Sequence, residues 1–68
     1  MQIVVSAEEL KEMPLGTEFF CRLRGTKVRG DVWKTIRKAG AVVMENKDTG
    51  TLRTIKNRYP YEYVLCKR

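Results

Sequence analysis

The chain has 68 residues, 43% of them hydrophobic and 32% charged, with a formal net charge of +6. A chain this short buries only about 60% of the surface its unfolded form exposes, so a lean core and one domain over residues 1–68 are expected, with no room for a deep catalytic cleft. The apolar and charged content excludes a disordered or fibrous class. No apolar run is long enough to span a bilayer, and Met1-Gln2-Ile3-Val4-Val5 lacks the basic leader of a signal peptide, so a cytoplasmic protein with no membrane association is expected.

Ile3-Val4-Val5 reads as an edge strand or as a lead into a first helix. Ser6-Ala7-Glu8-Glu9 has the S-x-x-E spacing of a capping box, in which hydroxyl and carboxylate satisfy exposed amides reciprocally. Leu10 and Met13 lie three apart on one side, and Pro14 ends the element at Met13. Two turns of helix do not hold together alone, so this one must dock on a sheet. After a turn at Leu15-Gly16-Thr17, residues 18–24 alternate as a half-buried strand, with Phe19, Cys21 and Leu23 toward the core. Phe20 is then left beside Arg22 and Arg24, either as a base-stacking platform or as a contact for the short helix; the helix contact is preferred.

The basic loop Gly25-Thr26-Lys27-Val28-Arg29-Gly30 has G-x-x-x-x-G spacing but continues Asp31-Val32, without the lysine a phosphate-binding loop needs, so the nucleotide reading fails. Arg29-Gly30-Asp31 spells an adhesion tripeptide by chance. Asp31 to Gly40 fits either a capped helix ending at Gly40 or a strand, Val32-Trp33-Lys34-Thr35-Ile36, with a turn at Lys38-Ala39-Gly40; the β-branched and aromatic content favours the strand. Ala41-Val42-Val43-Met44, the turn Asn46-Lys47-Asp48-Thr49-Gly50 and Thr51-Leu52-Arg53-Thr54-Ile55 read as a hairpin, with Val42 and Met44 on the face that meets Leu52. The chain turns again at Tyr59-Pro60 and closes with an alternating strand, Tyr61 to Cys66. The class expected is mainly β: a small SH3-like barrel or a strongly bent antiparallel sheet of four or five strands, with one short N-terminal helix.

The series Leu15-Gly16-Thr17-Glu18-Phe19, Val32-Trp33-Lys34-Thr35-Ile36, and Ala41-Val42-Val43-Met44 leading to Thr49-Gly50-Thr51-Leu52 resembles small uncharacterised phage-encoded domains. The likeness covers roughly residues 10 to 56. It implies an SH3-like sheet in a phage or prophage protein and carries no activity or functional residue across. This chain departs from that pattern in its strong positive charge and in the longer turn before Thr49-Gly50.

Catalysis is the least expected class, because there is no histidine and no carboxylate pair in a context that raises one pKa. Two cysteines, Cys21 and Cys66, leave half of a tetrahedral zinc site empty and read as buried thiols, so neither metal nor cofactor is expected. Residues 1–18 carry four acids and one base, whereas the other fifty carry thirteen bases and four acids, local balances of −3 and +9. A field segregated in this way attracts polyanions or an acidic protein surface, although lysine and arginine also serve solubility alone. The leading expectation is nucleic-acid binding through Arg22, Arg24, Lys27, Arg29, Lys34, Arg37, Lys56 and Arg58, with Lys38 and Arg53 as further cations. Tyr59 joins that set as a stacking ring, and Phe20, Trp33 and Tyr61 are the other rings available, Trp33 being as readily accounted for by core packing. The alternative is a module that docks on or inhibits an acidic host protein. Self-association through an open strand edge is a third possibility.

Overall fold

The computed structural model describes residues 3–66. Six strands form one antiparallel sheet: β1 (Val4–Val5), β2 (Glu18–Leu23), β3 (Val32–Lys38), β4 (Ala41–Asn46), β5 (Leu52–Thr54) and β6 (Tyr61–Leu65), with one helix, α1 (Ala7–Glu12), between β1 and β2. The spatial order is β1-β6-β2-β3-β4-β5, so the C-terminal strand inserts between the first two. The expected mainly β class with a short N-terminal helix holds. The count of four or five strands does not: the sheet has six, the sixth being β1, the two-residue stretch that reads either as an edge strand or as a lead into the helix. The sheet is also open, so closure into a barrel is not seen.

The capping box forms as its spacing requires: the Glu9 amide donates to Ser6 Oγ at 3.1 Å and the Ser6 amide to Glu9 Oε1 at 3.0 Å. The helix then buries Ala7 and Leu10 completely. It packs into a core of Val5, Phe19, Met44, Ile55 and Tyr63, with Met13, Cys21, Trp33, Val42 and Leu65 at its margin. Each large apolar side chain sealed there contributes about 1.5–3 kcal/mol. Residues of β1, β2, β4 and β6, with Ile55 just after β5, share this one cluster with the helix. The segment after β5 crosses back beneath α1, where Asn57 Oδ1 accepts the Ala7 amide at 3.0 Å and Asn57 Nδ2 donates to both Glu8 carboxylate oxygens at 3.1 and 3.2 Å. The Asn57 amide, before other causes, holds the Glu8 carboxyl below the usual carboxylate range.

Three details differ from the sequence reading. Phe20, only 4% exposed, lies on the opposite side of β2 from the helix and is covered instead by the Arg29 guanidinium, 4.9 Å from its ring centre. Leu23 is exposed, because the Leu23–Tyr61 end of the β2–β6 ladder runs past the core. Met44 pairs with Arg53 and Glu45 with Leu52, so Leu52 faces away from Met44. A single-residue offset in the register of a hairpin exchanges its faces.

The turns carry the local constraints. Lys38 pairs with Ala41 across a two-residue loop in which Ala39 has φ 51° and Gly40 φ 80°. Such a turn suits the twist of a hairpin but places a side chain in the left-handed region, which glycine or asparagine tolerates better than alanine. At the next hairpin, buried Asn46 accepts the Asp48 and Thr49 amides at 2.8 and 3.0 Å, and its Nδ2 donates to Asp31 Oδ2 at 3.2 Å. The end of the basic loop is thereby fastened to the β4–β5 turn. At Gly30 a Cβ would stand 2.7 Å from the Cys21 carbonyl oxygen, so the loop approaches β2 more closely than any other residue permits.

Two stability changes are expected. Ala39→Asn relieves the left-handed strain and raises stability by about 1 kcal/mol, a shift of roughly 4–8 °C in thermal midpoint. Asn46→Ala leaves two turn amides and a carboxylate without their partner and costs about 1–3 kcal/mol, read as a lower urea midpoint at unchanged slope.

Candidate functional site

The strand register partitions the charges. On the face of β2 that carries Phe20, Arg22 stands opposite Glu62, their Nε and Oε2 2.7 Å apart with side chains only 15% and 10% exposed. On the same face Lys34 stands opposite Glu45 at 3.6 Å, and Lys47 Nζ meets Glu18 Oε2 at 2.7 Å. The half-exposed Lys34–Glu45 pair is worth at most about 1 kcal/mol, but it neutralises the face locally. Two of the expected contact residues, Arg22 and Lys34, are therefore engaged with carboxylates. Arg29 is engaged too: besides covering Phe20, its Nη2 donates to Cys66 Sγ at 3.5 Å. Lys27 is exposed on the same loop. Arg37 is exposed four residues along β3 from Trp33, roughly 13 Å at the rise of a strand.

Arg24, Arg58 and Tyr59 come together elsewhere. The Arg24 amide donates to the Pro60 carbonyl at 2.8 Å, extending the β2–β6 ladder, and its guanidinium lies 5.7 Å from the Tyr59 ring centre. Tyr59 is 85% exposed and Tyr61 54%. Below them the Tyr63 hydroxyl donates to the Lys56 carbonyl at 2.7 Å, which holds the return segment against the sheet while the Lys56 side chain stays in solvent.

Beside this group a cleft of about 230 Å³ opens on the face that carries Phe19, lined by Cys21, Trp33, Met44, Arg53, Thr54, Arg58, Tyr61 and Tyr63. Its lining contains two guanidinium groups, three aromatic rings and no acid. Among the described residues neither Arg53 nor Arg58 forms an ion pair. Trp33 is half-buried, packed against the core on one side and facing the cleft on the other. Arg53 was only one of many cations in the sequence; the Met44–Arg53 pairing is what turns it into the cleft, and an expected register one residue off hid that.

Burial pushes the Cys21 thiol above its usual range, with Arg58 pulling weakly the other way, and burial followed by the neighbouring Cys21 raises the Tyr63 hydroxyl. A reactive cysteine needs the opposite shift, so Cys21 acts as a small apolar wall at neutral pH. Among the described residues no group of three or more potential ligands could hold a metal ion, and no helix is long and apolar enough to cross a membrane. No protein-family model matches the chain, and neither a curated protein nor a solved structure does so.

A thiol whose pKa is higher in the folded than in the unfolded chain adds stability that is whole at neutral pH and is lost as pH rises through the folded value. Urea midpoints are therefore expected to fall above about pH 8.5, with Tyr63 adding to the loss at higher pH, and Cys21→Ala is expected to flatten the first part of that fall.

Proposed function

We propose that this is a small non-catalytic domain that binds nucleic acid through a cationic, aromatic surface made by Arg24, Arg53, Arg58, Tyr59 and Tyr61. The observation that carries the reading is the separation of charge: carboxylates take up Arg22, Lys34 and Lys47 on one face, whereas the cleft on the other presents Arg53 and Arg58 beside Trp33 and Tyr61 with no acid in its lining. Phosphates supply most of the affinity in such complexes, and exposed rings add base stacking. With this reading goes the placement among small SH3-like, phage-encoded cytoplasmic domains, for which the antiparallel sheet around one core and the sequence likeness are the support.

One observation favours the second reading, a module that docks on an acidic host protein. An apolar groove of about 380 Å³ runs beside the cleft between Leu23, Thr26, Val28 and Tyr61, and Val28 at its lip is 75% exposed. Exposed apolar residues flanked by cations suit a protein anchor.

Fluorescence anisotropy with a labelled oligonucleotide separates the two. For nucleic acid, affinity falls steeply between about 50 and 200 mM salt, and Arg24→Ala or Arg58→Ala each flattens the logarithmic slope by about 0.7–0.9. Absence of binding at low salt overturns the nucleic-acid reading in favour of the protein partner.

A further inference from the structure

We infer that the cleft between Trp33 and Tyr61 receives one unstacked base of a single strand, so that this domain distinguishes single-stranded from duplex nucleic acid. The inference rests on the nucleic-acid reading above and adds to it the form of the ligand. Size is the first argument. At about 230 Å³ the cleft is smaller than the roughly 300–1,000 Å³ of sites for drug-sized ligands, which suits one planar ring system and not a base pair. Chemistry is the second. Trp33, Tyr61, Met44 and Cys21 offer apolar and aromatic walls, and the exposed Arg53 and Arg58 place two cations in the same lining, the combination a base attached to a phosphodiester would need.

Continuity is the third. A second groove of about 380 Å³ shares Arg58, Tyr61 and Tyr63 with the cleft and extends it past Arg24 and Tyr59. A strand leaving the cleft at Arg58 would meet the exposed Tyr59 ring, already backed by Arg24. The two acids along this groove have partners of their own, since Glu62 pairs with Arg22 at 2.7 Å and Glu9 accepts the Ser6 amide at 3.0 Å. A duplex keeps its bases stacked inside, beyond reach of such a cleft, and would meet the cations alone.

Three probes of about 12 nucleotides test this: an oligothymidylate, a blunt duplex, and an abasic strand that keeps the phosphates without bases. Trp33 is the only tryptophan, so its emission reports occupation of the cleft. The single strand is expected to bind about 5- to 100-fold more tightly than the other two and to be the only one that quenches Trp33. Tyr61→Ala removes the preference while its thermal transition shows the fold retained, and Tyr61→Phe keeps it. Equal affinity for all three probes, or tighter single-strand binding with Trp33 emission unchanged, overturns the base cleft and leaves charge-driven binding standing. No binding of any probe at low salt overturns both.

Discussion

Tyr63 joins the core of this protein to its surface. Its ring meets Phe19 edge to face, 5.4 Å between centres and 88° between planes, a geometry that aligns the positive edge of one ring with the negative face of the other. The same ring forms part of the cleft, and its hydroxyl holds the Lys56 carbonyl. The return segment at 55–60 has no regular structure, yet it is held by buried Ile55, by the Lys56 carbonyl and by the Asn57 side chain under the helix. Between those anchors and β6, Arg58 and Tyr59 are exposed and line one groove with Tyr61.

Size imposes the rest of the plan. A chain of 68 residues cannot cover both sides of a six-stranded sheet with further secondary structure. The side that carries Phe19 is closed by α1 and the return segment, and the other side is managed with side chains: Phe20 is covered by Arg29 of the basic loop, while cross-strand ion pairs cover the neighbouring positions. Cations that cover a sheet and cations that face a ligand are the same residue types, so net charge alone cannot tell them apart. Register does, by setting a carboxylate opposite some of them and none opposite others.

Much of the local structure was legible in the chain. Ser6 and Glu9 satisfy amides within three residues of themselves, Pro14 ends a helix by its own sterics, and Gly50 takes φ 77° in a turn whose Asn46 acceptor is close in sequence. The strand at Val32–Lys38 followed from β-branched and aromatic content against a competing helical pattern. The aromatic and basic residues of the candidate surface were visible as types, but Arg53 and Trp33 could not be distinguished from their neighbours.

Which strands pair, and in which register, was decided only by the folded chain. Alternation with a period of two says which residues share a side of one strand and leaves open the strand beside it. Placing β6 between β1 and β2 brings Tyr61 and Tyr63 against Leu23 and Cys21, some forty residues away in the chain, where the entropy of closing the loop differs little between one partner and another. The choice is made by burying Phe19, Leu10, Ile55 and Tyr63 together, a condition on the whole molecule that no short window of residues contains.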